Sequence, residues 1–452
     1  MPATPRPVGP KPPPGPPSPQ PQGPQRRQRR APVRLGPRPL ALHLTNATGA
    51  LLSSRAASEL LRKGLLPWRP EFALQGGMLS LGLAGAKSDA FADALDRELT
   101  RRSALFLDGI ERYRCHPYER DLPAPPVLWQ DGTTRLLDYA PPSRGQGGGV
   151  PVLIVPSLIN RAYILDLAPG QSLLRYLAVQ GMRPLLVDWD APGDVERGFG
   201  LDDYIIDRLE PAAAVAATVT GTVPSVLGYC MGGLLALALA ARRPELVNAV
   251  ALLATPWRFH AERAEQAKLL GMLAVPIAQS YAALGEVPVD VLQALFAAQD
   301  PLTALRKFSR FAETPQDSAA ARNFVALEDW LNDGVPLALQ VARDCLGGWY
   351  GDDLPGRGQW RVGDRLIRPR DIDLPALVVV PAQDRIVPPA TAAILADIMP
   401  RAESLTPRLG HIGMIVARDA PGAVWEPLAA WLLQHAGQVF PARFSKTVAR
   451  AI

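Results

Sequence analysis

Cys230 lies in Gly228-Tyr229-Cys230-Met231-Gly232-Gly233, between an apolar lead-in at 225–227 and an Ala/Leu-rich run at 234–242. A strand, a Gly-x-nucleophile-x-Gly turn and a helix make a nucleophile elbow. The turn is so sharp that a Cβ at Gly228 or Gly232 is expected to clash, hence the glycines. A cysteine in place of serine points away from ordinary ester hydrolysis and towards thioesters. Two partners follow along the chain. Asp384 stands 154 residues after Cys230, just past the apolar 378–380, and His411 stands 27 residues later in the glycine-flanked 409–413. Nucleophile, acid and base thus come in the order this architecture uses, each after a predicted strand.

Each residue type answers a chemical need. A free thiol is only a few per cent ionised at pH 7, so Cys230 needs a base, and His411 can take its proton and later return one. Asp384 can fix the imidazole tautomer and stabilise the imidazolium. A helix starting after Cys230 adds a positive dipole end that favours thiolate. The Met231 backbone N–H is the expected first oxyanion donor. The second is expected in the loop 156–160, at Leu158 or Ile159. No metal set is seen. Cys115-His116 has no further ligands nearby, and Cys345 falls in a helical run and reads as core. His43 and His435 read as structural or exposed, and His260 as structural or as a cap-facing pocket residue.

These groups need a scaffold. Residues 127–130 and 133–139 read as a hairpin around Asp131-Gly132, and 141–149 as a loop. Strands are expected at 151–155, 183–188, 225–227 and 248–254, with helices at 172–180 and 201–218 between them. The alternation stops over 256–371, where helical segments carry scattered aromatics. It resumes with a strand at 374–380, a helix at 390–398, a short strand at 403–405 and a helix at 423–435. Strands alternating with helices imply a mostly parallel sheet covered on both faces. The fold class is therefore α/β, an α/β-hydrolase fold with an inserted cap domain. The division is a Pro/Arg-rich tail at 1–40, a helical region at 41–124, core at 125–255, cap at 256–371, core again at 372–437 and a tail at 438–452. Within the helical region the best amphipathic runs are 57–66 and 88–107.

The formal charge of +5 is uneven: the first 40 residues hold eight Lys/Arg, no acid and 15 prolines. That segment cannot build a core and is expected to be disordered or polyproline-like. It is either simply solvated or an arm for an anionic surface. The remainder, with 40 basic against 43 acidic residues, gives no reason to expect nucleic acid. Three cysteines make no disulfide framework and fit a reducing cytoplasm. No apolar run reaches the roughly 18 residues of a membrane span, and the N-terminus does not read as a secretory signal.

Further blocks accompany the three reactive residues: Ile154-Val155-Pro156, then 159–167 (Ile-Asn-Arg-Ala-Tyr-Ile-Leu-Asp-Leu), Val187-Asp188-Trp189, and Leu201-Asp202-Asp203-Tyr204-Ile205. Together with Gln383-Asp384-Arg385-Ile386-Val387-Pro388-Pro389 and Gly410-His411-Ile412-Gly413-Met414, they resemble the polyhydroxyalkanoate synthase family over about residues 125–436, above all its short, two-subunit class. The resemblance implies an acyltransferase that polymerises (R)-3-hydroxyacyl-CoA into polyester and releases coenzyme A. Cys230 would carry the acyl chain as a thioester, His411 would activate the thiol, and Asp384 would assist His411 or help activate the attacking 3-hydroxyl. It also implies no cofactor beyond the coenzyme A thioester substrate, a second synthase subunit, a homodimer through the cap, and a cytoplasmic place at polyester granules. Two other readings share the residues: a Cys-nucleophile hydrolase, either polyester depolymerase or thioesterase, and a non-catalytic granule-associated homologue.

Overall fold

A computed structural model describes residues 33–140 and 148–436. The Pro/Arg-rich residues 1–32, most of the 141–149 loop and the 438–452 tail lie outside the described residues. Three longer helices come first: α1 (Leu40–Ala56), α2 (Ala73–Ala84) and α3 (Ser88–Cys115). The hairpin strands β1 (Val127–Asp131) and β2 (Thr134–Asp138) follow, then β3 (Val150–Val155) and helix α4 (Leu173–Val179). Next come β4 (Met182–Asp188), α5 (Glu210–Thr220), β5 (Ser225–Tyr229), α6 (Met231–Arg242) and β6 (Val250–Leu253). The cap contributes α7 (Val289–Ala297), α8 (Thr303–Ala312) and α9 (Ala319–Asn332). The core closes with β7 (Ala376–Val379), α10 (Pro389–Ile398), β8 (Ala402–Leu405) and α11 (Glu426–Gln434).

The strands form one eight-stranded sheet in the order β1-β2-β4-β3-β5-β6-β7-β8. β3 to β8 are parallel, while β1 pairs β2, and β2 pairs β4, antiparallel. Register runs straight through the centre: Ile154 pairs with Leu227, and Leu227 with Ala251. Successive side chains go to opposite faces. Val226, Val250 and Val378 join the cluster under α5, α6 and α10. Leu227, Ala251 and Val379 join the one under α4 and α11. Both faces are therefore buried, which explains why these strands read as continuous apolar runs rather than alternating ones.

The expected helix at 57–66 shrinks to Ser58–Arg62, a short helix with no buried residue. α1 starts right after Pro39 instead, although its Thr, Asn, Gly and Ser blur the apolar period. Tertiary packing supports it: Ala47 sits in a cluster with Phe106, Tyr113, Phe308 and Val325. α3 runs past the expected 107 to Cys115 and stops there because the next residue, His116, precedes Pro117 and is extended. Where α3 crosses α8, Gly109 allows contact, since a Cβ there would lie 1.9 Å from the Phe308 carbonyl oxygen. The expected helix at 201–218 is continuous to Thr220 but has a π segment over Tyr204–Leu209. Among the described residues no helix is long and apolar enough to cross a membrane.

Candidate active site

β5 delivers Cys230 and α6 begins at the next residue. Between them Cys230 takes φ 56° and ψ −127°, a left-handed turn that a side chain rarely adopts. Such a residue costs about 1–3 kcal/mol and persists only because its surroundings fix it. The neighbours do so here. A Cβ on Gly228 would lie 2.4 Å from the Gly233 Cα, and one on Gly232 would lie 2.0 Å from the Val155 carbonyl oxygen. The Cys230 N–H donates to the Leu253 carbonyl at 2.8 Å, tying the elbow to β6.

Asp384 follows β7 in a loop and is buried. Its Oδ1 accepts from the N–H groups of Ile386 and Val387, both at 2.8 Å. Its Oδ2 faces His411 Nδ1 at 2.7 Å. His411 follows β8, is also buried, and lies within hydrogen-bonding range of Cys230. With Nδ1 committed to Asp384, Nε2 is the nitrogen left for the thiol. The three residues picked from the sequence thus meet in one chain of contacts. Burial pulls the His411 pKa down. The Cys230 thiolate charge and the bonds to Asp384 and Cys230 outweigh it, so the value is raised to about 10. A thiol, an imidazole and a carboxylate in this order can pass a proton from sulfur to nitrogen and back.

The oxyanion residues divide. Met231 opens α6 and lines the cavity beside Cys230, where a helix's first N–H groups have no partner within the helix. Ile159 also lines the cavity, but its N–H donates to Ser157 Oγ at 3.0 Å, while Leu158 is buried in the sheet-side core. Cys345 is buried in a π segment over Asp344–Gly351, as a core residue would be, and it also walls the cavity. Burial pushes its thiol well above the ordinary range. Cys115 is exposed, and His116 is occupied by the Gln316 carbonyl and the Tyr118 N–H. His260 Nε2 contacts the Tyr350 carbonyl oxygen at 2.7 Å, and His435 Nδ1 the Trp431 carbonyl oxygen. His43 lies on a more polar cavity with Arg38, Lys307 and Arg385, which shares Gln293, Phe296 and Ile386 with the one at Cys230. Among the described residues no group of His, Cys, Asp and Glu is arranged to hold a metal.

Sequence reasoning missed two contributions. Tyr229 packs its ring 5.2 Å from the imidazole of His411 and donates its hydroxyl to the His411 carbonyl at 3.2 Å, a further hold on His411. Its place beside the nucleophile was the available signal. The cavity itself, about 230 Å³, is walled by Phe296 of α7, Trp330 of α9, and Trp349 and Tyr350 of the π segment. Asn160, at φ 68°, presents Oδ1 to Gln293 Nε2 at 3.2 Å and joins the β3 loop to the cap.

A family model for the alpha/beta hydrolase fold matches residues 150–417. Among curated proteins, the poly(3-hydroxyalkanoate) polymerase subunit PhaC of Haloferax mediterranei is 29% identical over 318 residues, 68% of this chain and 63% of that protein. The PhaC subunit of Synechocystis is 30% identical over 299 residues, 63% of this chain and 78% of that protein. That of Allochromatium vinosum is 27% identical over 352 residues, 76% of this chain and 98% of that protein. The chain spans less than two thirds of the Haloferax protein's length. With its parallel sheet and cysteine elbow, the chain belongs to the poly(3-hydroxyalkanoate) polymerase family of the α/β-hydrolase fold.

Proposed function

We propose that the protein is a polyhydroxyalkanoate synthase, joining (R)-3-hydroxyacyl groups from coenzyme A thioesters into a polyester through a Cys230-His411-Asp384 triad. The observation that carries this reading is a thiol at the strained elbow facing a buried imidazole whose far nitrogen is held by a carboxylate. Family membership supports it.

In the first step Cys230 sulfur attacks the thioester carbonyl, and coenzyme A leaves as its thiol with a proton from His411. Exchange of one thioester for another loses little driving force, so the acyl group stays activated on Cys230. A serine ester would already be as stable as the product. In the second step the 3-hydroxyl of another acyl unit attacks the Cys230 thioester. His411 takes the hydroxyl proton, the ester forms and the thiolate departs. Asp384 holds the ring in the tautomer that makes both transfers possible. The Met231 N–H is the proposed donor to the tetrahedral oxyanion, with the β3 loop as the source of the second. The apolar, aromatic walls suit a reaction in which water must not replace the hydroxyl.

Purified protein given (R)-3-hydroxybutyryl-CoA, alone and with a candidate second subunit, tests this reading. Free coenzyme A and insoluble polymer are expected. Soluble 3-hydroxybutyrate as the main product would make the protein a hydrolase. No release of coenzyme A from any hydroxyacyl-CoA would leave it non-catalytic.

A further inference from the structure

A second cavity of about 80 Å³ adjoins the one at Cys230 and shares Ile159, Phe296, Gln299, Cys345 and Tyr350 as walls. These five residues line both cavities. The rest of its lining comes from the cap and is wholly aliphatic, including Leu292 and Leu295 of α7, Leu337, Ala342 and Leu346. Among the described residues no charged side chain lines it.

This chemistry selects among the parts of the proposed substrate. Phosphates would lose hydration there and meet no cation. A polyester backbone would bring one carbonyl per unit into a space with few donors, which costs free energy for each unpaired oxygen. A saturated hydrocarbon meets neither penalty and gains from leaving water. A propyl group at C3 of the acyl unit extends two carbons further from the reacting carbonyl than a methyl group, and so offers more hydrocarbon to such a chamber.

We infer that this aliphatic chamber is the subsite for the alkyl side chain at C3, so that the protein prefers hydroxyacyl units longer than 3-hydroxybutyryl. The inference rests on the acyl-transfer reading above. Each buried methylene favours binding about four-fold, from ~0.8 kcal/mol per CH₂ and 1.36 kcal/mol per ten-fold. Two more methylenes therefore favour (R)-3-hydroxyhexanoyl-CoA over (R)-3-hydroxybutyryl-CoA by about fifteen-fold in kcat/KM for coenzyme A release.

The experiment measures that ratio in the full chain and in Ala342→Phe, whose ring would fill the chamber. A ratio near fifteen that falls to one or below in the variant supports the inference. Leu292→Phe, from a different wall, serves if Ala342→Phe does not fold. A wild-type ratio of one or less overturns the inference while leaving acyl transfer standing, and so does an unchanged ratio in a folded variant. Absence of release from both thioesters refutes acyl transfer itself and this subsite with it.

Discussion

Replacing Asp384 by asparagine keeps the size of the side chain and reverses the sense of one hydrogen bond. Asp384 Oδ1 accepts from two backbone N–H groups, and Oδ2 faces His411 Nδ1. An amide has one oxygen, and the two N–H donors require it. Turning the NH₂ towards them would lose two buried hydrogen bonds, at about 1 kcal/mol each before the cost of stranding the donors. The NH₂ must therefore point at Nδ1, which then accepts, and the ring proton moves to Nε2. In that tautomer the ring donates towards Cys230 and has no lone pair to receive the thiol proton. An equivalent inversion in a serine triad lowers kcat about 10⁴-fold, or roughly 5 kcal/mol. We expect Asp384→Asn to reduce kcat with (R)-3-hydroxybutyryl-CoA by about 10³–10⁴-fold, with KM nearly unchanged. Free coenzyme A should be quantified by chromatography, because the exposed Cys115 would react with a thiol reagent. A folded variant within ten-fold of wild type would mean that Asp384 does not set the tautomer.

Other outcomes follow from the same geometry. Cys230→Ala should leave no acyl adduct detectable by intact mass after incubation with hydroxyacyl-CoA, whereas wild type shows one. Gly232→Ala places a Cβ 2.0 Å from the Val155 carbonyl oxygen and should abolish activity, with a drop in melting temperature marking the displaced elbow. Gly109→Ala forces α3 from α8 and should cost about 1–3 kcal/mol of stability in urea titration. His411 has a folded pKa raised to about 10, above the ordinary 6.5. Its contribution to stability is complete below about pH 6.5 and is given up as the pH climbs towards 10, so the urea midpoint should fall more between pH 7 and 9.5 in wild type than in His411→Gln.

The central sheet and the positions of Cys230, Asp384 and His411 relative to its strands were legible because both depend on local signals. β3, β5 and β7 are short apolar runs bounded by Pro, Gly or Asp, and the elbow needs glycines at fixed offsets from the residue at its tip. Helix α1 was harder, since its hold on the molecule comes from Ala47 meeting side chains of α3, α8 and α9 that are distant in sequence. The walls of the cavity were harder still. Phe296, Trp330 and Tyr350 come from three cap segments, and what unites them is the packing around Cys230 rather than any period. Tyr229 falls between these cases: its position was plain, but its contacts with His411 depend on where the loop after β8 returns. Cys345 read correctly as buried, yet burial in the wall of a cavity and burial in a solid core leave the same trace in a sequence.

The close crossing at Gly109 bears on how a bulky thioester gets in. α8 is fastened to α3 by that contact, and α9 by the Tyr113 hydroxyl donating to Asp329 Oδ1 at 2.9 Å, while Arg34, ahead of α1, pairs with the same Asp329 at 2.7 Å; α9 is also fastened to the β3 loop by Trp330 Nε1 donating to the Arg161 carbonyl at 2.7 Å. The stretch around residues 264–284 packs instead on the π segment, where Gly271 closely approaches Gly351, and shows Leu269, Met272, Val275 and Leu284 to solvent. The cap thus divides into a part tied to α3 and the β3 loop, the jamb, and a part without those ties, the leaf. Breathing motions that admit substrate should be concentrated in the leaf, where amide hydrogens would exchange fastest, while the jamb keeps Trp330 and Leu331 in place through every turnover.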